Sequence, residues 1–344
     1  MLRTKSKSPT SKVTRRRFLH GAAGGAFLLA GAGRMGASFA QSPIRLRYVN
    51  FGEKNSIWAE PTFELQRQVE KRSNGALRIE WTGGPEVVSP FQAVEAVSRG
   101  VFDMCHTATS YYTAAVPEAL SLASGDASLK SLRDAGVISA LDELHRQKLG
   151  VSLIGIATSG VRYMFMASTP PSDLAFFKGK RFRSIPLFDP VLRTLGAATT
   201  TISPIEVFAA LERGVVDGIA WPEINMADRG FHRHAKYMMR PGFYESRTPT
   251  LINVKALEKL PADLRKVLAD SCIAADEWTA NLFKQTYVKE MALMRQQGLV
   301  EVPLSAAEAK EFLAMTERVL WEKINSDSPV NGPRIRKLFE KAAG

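Results

Sequence analysis

Cysteine and histidine are scarce in this chain, with two of the former and five of the latter among 344 residues. Only His232 and His234 lie close together, so no metal-ligand spacing can be written and no metal site is expected. Cys105 and Cys272 allow at most one bridge. Cys105 falls in an expected strand and Cys272 inside a long helical pattern, which favours two buried free thiols over a disulfide. No phosphate loop is present, because Gly83-Gly84-Pro85 lacks the Lys-Ser/Thr ending and reads as a turn. A G-x-S-x-G elbow is also missing. After the first 40 residues no segment is long and apolar enough to span a membrane, and after residue 43 there are no repeats, low-complexity tracts or flexible linkers.

Acidic residues are wholly absent from residues 1–40, which hold eight Lys or Arg of a chain whose net charge is +12. The remainder therefore carries about +4 with mixed signs, and it shows no basic helix face interleaved with aromatics. A nucleic-acid partner is not expected. The leader instead reads as an export signal: Thr14-Arg15-Arg16-Arg17-Phe18-Leu19 is a twin-arginine signature, Gly21–Gly33 is mildly apolar, and Ser38-Phe39-Ala40 is a small-residue site with cleavage expected after Ala40. A basic tail followed by a membrane anchor is the alternative, and the apolar run is shorter than the ~20 residues a span needs.

What the chain does contain is alternation. Lys178 to Trp221 reads as strand (Arg181–Ile185), helix (Pro190–Leu195), strand (Thr199–Ile202), helix and strand (Val215–Trp221), a parallel α/β pattern whose ligands belong at the carboxyl ends of strands. Ser203, Pro204 and Glu206 supply the cap, first position and capping box of the second helix, and Gly214 stops it. Upstream, strands are expected at Ile44–Phe51, Leu77–Trp81, Val101–His106 and Val151–Ala157. The loop after the first would place Ser56 and Trp58 near a ligand, and the loop after the third would place Tyr111 and Tyr112 there, although paired tyrosines are as often packing residues. Val161–Ala167 continues extended past Ser159-Gly160. Arg162, among apolar neighbours, needs a partner, either a ligand carboxylate or a salt bridge across a hinge. Thr248–Val254 reads as a strand returning to the first lobe. Pro261–Gln297 carries a helical pattern uninterrupted by Gly or Pro, roughly 55 Å long at 1.5 Å per residue, more than one small lobe can bury. Two helices with an unmarked break are the alternative. Ser305 with Glu308 offers a further capping box, and His232 and His234 fall on an expected surface helix.

The string KGKRFRSIP, followed by LGA, PIEVFAALERGVVDG and a Trp-Pro pair, resembles the solute-binding proteins of tripartite ATP-independent periplasmic (TRAP) transporters, the C4-dicarboxylate and organic-acid receptor family. The resemblance implies a bilobed, type II-like periplasmic binding protein: two interleaved α/β lobes, a cleft between them and a long lobe-spanning helix. Lobe I would be 41–160 plus 249–288, and lobe II 161–248 plus 289–344, after a signal peptide at 1–40. It also implies that Arg183 pairs with the carboxylate of an organic acid, that Trp221 and Glu245 surround the ligand, sometimes with a sodium ion, and that membrane subunits of a TRAP transporter are the partner. Ala220 stands where an acidic side chain would be expected, which weakens the cation. No other cofactor is expected. Phe188 and Asn225 complete the candidate cleft. These side chains suit recognition better than chemistry, whereas an exported enzyme would need a nucleophile with a base or paired carboxylates. The aromatics slightly favour an aromatic acid or ketoacid over a dicarboxylate.

Overall fold

The computed structural model describes residues 42–157 and 160–343; the proposed leader and Ser159 lie outside them. Among the described residues there are twelve strands: β1 Ile44–Asn50, β2 Leu77–Gly83, β3 Met104–His106, β4 Val151–Ala157, β5 Arg162–Ala167, β6 Arg181–Ser184, β7 Ala198–Thr201, β8 Gly218–Pro222, β9 Tyr237–Arg240, β10 Phe243–Glu245, β11 Thr248–Asn253 and β12 Val300–Pro303. The α-helices are α1 Glu60–Arg72, α2 Ala93–Ser98, α3 Leu129–Asp134, α4 Val137–Leu149, α5 Asp189–Thr194, α6 Val207–Glu212, α7 Val254–Glu258, α8 Ala262–Gln296, α9 Ala306–Asp327 and α10 Asn331–Ala343.

The strands form two sheets. One has the order β2-β1-β3-β11-β4, with β1 parallel to β2 and β3 and β11 antiparallel to its neighbours. The other has the order β12-β9-β5-β8-β6-β7, with β10 paired to β5. One end of it, β8-β6-β7, is parallel as expected from the alternation in 178–221. The sheet as a whole is mixed, because β5 runs antiparallel to β8 and β9. The chain passes between sheets from β4 to β5, again at Ser246-Arg247 between β10 and β11, and a third time along α8.

Helix α8 is a single 35-residue element. Its first half carries Leu264, Leu268, Cys272 and Ala275 into the core of the five-stranded sheet with Leu46, Tyr48 and Ile252. Its last turns carry Met291 and Met294 into a core with Met164, Ile219 and Trp221 of the other sheet. Between them Phe283 packs edge-on against Trp58 at 5.7 Å. Apolar side chains on successive faces thus tie one rigid rod to both sheets, which accounts for its length.

Local signals act as written. Ser203 and Glu206 form their capping box, although the element they open is a 3-10 turn (Pro204–Glu206) leading into α6. Ser305 and Glu308 cap α9 in the same way. Most phenylalanines serve packing: Phe165 stacks on Phe243 at 4.5 Å and meets Phe177, Phe182 and Phe312. Cys105 and Cys272 are separate buried free thiols. His232 does not sit on a surface helix: it is buried on the turn Phe231–Arg233, its Nε2 2.5 Å from Gln297 Oε1. The last helix, α10, packs on α9, α3 and α4, and Arg334 bridges to Glu143 of α4 at 2.8 Å.

Candidate functional site

The carboxyl ends of β1, β3, β6 and β8 converge on one cavity of ≈ 50 Å³. That is several times the ~10–15 Å³ that holds a single water, enough for a small molecule. The wall from the five-stranded side is Phe51, Gly52, Trp58, Ala108, Tyr111 and Thr248. Gly52 is required by packing, since a Cβ there would lie 2.5 Å from that of Trp58. The opposite wall is Tyr163, Arg183, Ile185, Phe188, Pro204, Ala220 to Pro222, Arg229 and Ser246. The site thus lies between the sheets, at the strand ends where an α/β fold leaves its loops free to bind.

Arg183 is the centre of this wall. It is 2 % exposed. Its Nε donates to the Ile202 carbonyl at 3.1 Å, and its guanidinium stands 5.3 Å from the centre of the Trp221 ring. Among the described residues no carboxylate forms an ion pair with it. Burial pulls its pKa below the usual arginine value, while the Tyr111 and Tyr163 hydroxyls beside it act in the opposite sense. Burial likewise pushes the Tyr163 hydroxyl up to about 12, so it stays a neutral donor. A desolvated cation facing a cavity with no acidic side chain in its wall makes this a candidate site for an anion.

Behind the first wall a polar chain fixes the strand ends. Thr248 Oγ1 donates to the Ala157 carbonyl at 3.0 Å, so His106 Nε2 is the donor in its 2.7 Å contact with that hydroxyl. The other ring nitrogen lies 3.3 Å from Asn50 Nδ2, whose hydrogens have closer acceptors in the Trp58 carbonyl and Thr62 Oγ1 at 3.0 and 2.9 Å. Burial pushes the His106 pKa down to about 3, consistent with this neutral form.

Of the residues singled out in the sequence, Arg183, Trp221, Phe188, Tyr111 and Trp58 line the cavity. Tyr112 does not. The 3-10 turn Thr109–Tyr111 sends it inward, where its hydroxyl meets His145 Nε2 at 3.0 Å. Arg162 does not line the cavity; its side chain pairs with Asp126 and lies 3.9 Å from Glu245. Glu245 is turned from the cavity toward that pair and the Gly160 N–H. Asn225 stands behind the wall, accepting from Trp58 Nε1 at 3.0 Å and Arg229 Nε at 2.9 Å. Ser56 lines an outer groove that also contains Glu53, Asp228 and Arg229. Arg229 itself, Tyr163, Ser246 and Thr248 carried no local signal. They are brought in by β5, β11 and a turn whose shape is set elsewhere.

The residues do not fit a cation beside the ligand. Ala220 offers no oxygen from its side chain, Glu245 is committed to Arg162 and Gly160, and among the described residues no group of three or more His, Cys, Asp or Glu is placed to hold a metal ion.

A family model described as bacterial extracellular solute-binding protein, family 7, matches residues 49–327. The chain belongs to this family. Its relatives are distant: a monocarboxylate 2-oxoacid-binding periplasmic protein of Nostoc sp. is 22 % identical over 80 % of this chain and 77 % of its own length. Among solved structures, a TRAP periplasmic solute-binding protein of Desulfovibrio salexigens with bound orotic acid superimposes with a TM-score of 0.80 at 19 % identity, covering 87 % of this chain and 98 % of that one. A TRAP solute-binding protein of Bordetella bronchiseptica RB50, in which calcium and picolinate were found, gives 0.77 at 20 % identity over 88 % of this chain and 94 % of that one. At these identities the family 7 likeness is one of fold, the mixed α/β, two-sheet architecture of TRAP binding proteins.

Proposed function

We propose that this family 7 chain is an extracytoplasmic receptor that binds a small organic acid through Arg183, closes around it and delivers it to the membrane subunits of a TRAP-type transporter. The observation that carries the reading is the buried Arg183 guanidinium, without a carboxylate partner among the described residues, at a cavity that has no acidic side chain in its wall. A planar guanidinium takes a carboxylate in a forked geometry, and the aromatic walls exclude water, which strengthens that pair. The cavity wall holds no His, Cys, Lys, Asp or Glu. Nothing in it is suited to serve as a general base, which supports recognition over turnover. The acids named for relatives and neighbours include a 2-oxoacid, orotate and picolinate, and also a C4-dicarboxylate, galactonate and galacturonate, so the preference for a ketoacid or aromatic acid rests on the aromatic wall of the cavity. Export by the twin-arginine route with cleavage after Ala40 belongs to the same proposal.

A thermal-shift screen of small organic acids identifies the ligand, because a ligand that binds only the folded state raises the melting temperature by mass action. Calorimetry with the best acid then compares wild type with Arg183→Ala. Binding that survives within about threefold in a folded variant places the carboxylate elsewhere. Replacing Arg15, Arg16 and Arg17 together with lysine tests the export route, and unchanged periplasmic yield rejects it.

A further inference from the structure

The cavity holds a second cation that the carboxylate pair does not use. Arg229 stands 5.9 Å from the centre of the same indole, Trp221, that Arg183 faces at 5.3 Å. It is positioned from both walls. Its Nε donates to Asn225 Oδ1, the oxygen that also receives Trp58 Nε1 from the other side of the cleft. Asn225 can hold both because its backbone is left-handed, φ 64°, and because Glu290 of α8 takes the N–H groups of Asn225, Met226 and Ala227 at 2.9, 3.0 and 3.2 Å. Outward, an Arg229 Nη2 lies 3.7 Å from Glu53 Oε2, and Glu53 and Asp228 line the groove that adjoins the cavity at Arg229 and Pro204.

The two arginines therefore differ in what they lack. Arg183 has no acid and requires a full negative charge. Arg229 already faces Glu53, with Asp228 beside it, so its remaining N–H groups require an oxygen but not a charge. A second carboxylate at that end of the cavity would meet Glu53 and Asp228 at close range, and like charges in a partly desolvated site repel strongly. Arg229 also lines the cavity, and a plain alkyl acid offers no acceptor to the N–H groups it does not spend on Asn225 or Glu53, the situation in which a polar site rejects an analogue that lacks the matching oxygen.

We propose that Arg229, with the acidic mouth of Glu53 and Asp228, makes the site selective for a monocarboxylate carrying a second, uncharged acceptor oxygen, an oxo or hydroxyl group, over both plain acids and dicarboxylates. The selectivity rests on the assignment of the ligand carboxylate to Arg183.

The test is calorimetry on the mature protein with three probes: 3-methyl-2-oxobutanoate, 3-methylbutanoate, which differs only by the oxo group, and succinate. Wild type is expected to bind the oxo acid at least about tenfold more tightly than either of the others. Arg229→Gln keeps a donor toward Asn225 and is expected to bring the oxo acid to within about threefold of the plain acid, with the plain acid itself little changed. Glu53→Gln is expected to improve succinate by about fivefold or more relative to the oxo acid. No preference in wild type, failure of the oxo acid to bind at millimolar concentration, a uniform loss across all three acids in Arg229→Gln, or no relative gain for succinate in Glu53→Gln would each overturn the selectivity. A uniform loss in particular would make Arg229 a strap between the lobes. Arg183→Ala separates this from the parent reading. If it leaves oxo-acid binding within about threefold of wild type, the carboxylate assignment fails; if it abolishes binding while any of the four adverse outcomes holds, only the selectivity fails.

Discussion

Arg183 and Arg247 are both almost fully buried, and burial pulls both their pKa values down, yet the protein treats them in opposite ways. Arg247 leaves β10 for β11 where the chain passes between the sheets, and its guanidinium donates to the carbonyls of Leu122, Ser124 and Ala127 at 2.8, 3.0 and 2.7 Å, with Gly125 at 3.5 Å. It pins the segment after the 3-10 helix Pro117–Ala123 to the crossing. Arg183 receives one carbonyl, the Tyr111 hydroxyl and one indole face, and it lines the cavity. Arg247, held by several carbonyls although its Nε finds no partner, serves as a staple. Arg183, held by fewer, is the one proposed to take an acceptor from outside.

The sharpest way to break this comparison is to remove each guanidinium in turn. Arg247→Ala leaves a set of inward carbonyls without donors and is expected to cost about 3–5 kcal/mol of stability, seen as a large fall in the denaturant midpoint. Affinity of the folded fraction should be nearly unchanged. Arg183→Ala is expected to do the reverse: a loss of about 2–5 kcal/mol in binding free energy for the acid, with the unliganded protein as stable as wild type or more so, because an uncompensated buried charge is gone. Lysine at 183 should recover only part of the affinity, as a point charge in place of a fork. Equal destabilisation by both alanine variants would erase the distinction.

How much of this was legible in the sequence follows from what each feature depends on. Capping boxes at Ser203 and Ser305, and a long helix without Gly or Pro, depend on near neighbours, and all three are found where the pattern puts them. Arg183 was legible through its motif and through the lack of nearby acids. Tyr111 and Tyr112 were not separable, because one 3-10 turn decides which ring meets the cavity and which meets His145. Arg229 was invisible for a stronger reason. Its position depends on a left-handed Asn225 whose turn is held by Glu290, 65 residues away along the chain.

That turn sets the next prediction. Asn225→Gly keeps the positive φ at little cost while deleting the oxygen shared by Trp58 and Arg229. It should lower stability by about 1 kcal/mol and acid affinity by roughly fivefold, by loosening Arg229 and the contact across the cleft. Asn225→Ala adds backbone strain on top, so it should be less stable than the glycine variant by about another 1 kcal/mol. If glycine and alanine are equally stable, the left-handed backbone is not what asparagine is there to supply.

Arg133 provides the last contrast, an arginine that does have an acid. Asp276 of α8 accepts from Arg133 Nη2 at 2.8 Å and from the Ile156 N–H at 3.1 Å. Burial nevertheless outweighs both bonds and pushes its carboxyl up to about 8. In the unfolded chain the same carboxyl titrates near ~3.9. The folded state therefore holds this proton more tightly, and the stability gained from it is full below about pH 4 and is lost as the pH rises toward about 8. Asp276→Asn removes the titration and keeps the shape. Melting temperatures of the two proteins measured from acid to mildly alkaline pH should diverge, wild type falling relative to the variant as the pH rises. A difference that stays flat, or that favours wild type at high pH, would mean that the Arg133 pair keeps Asp276 ionised throughout. Arg133 would then be held by a full ion pair, and an acid from the chain itself would do for it what an acid from solution is proposed to do for Arg183.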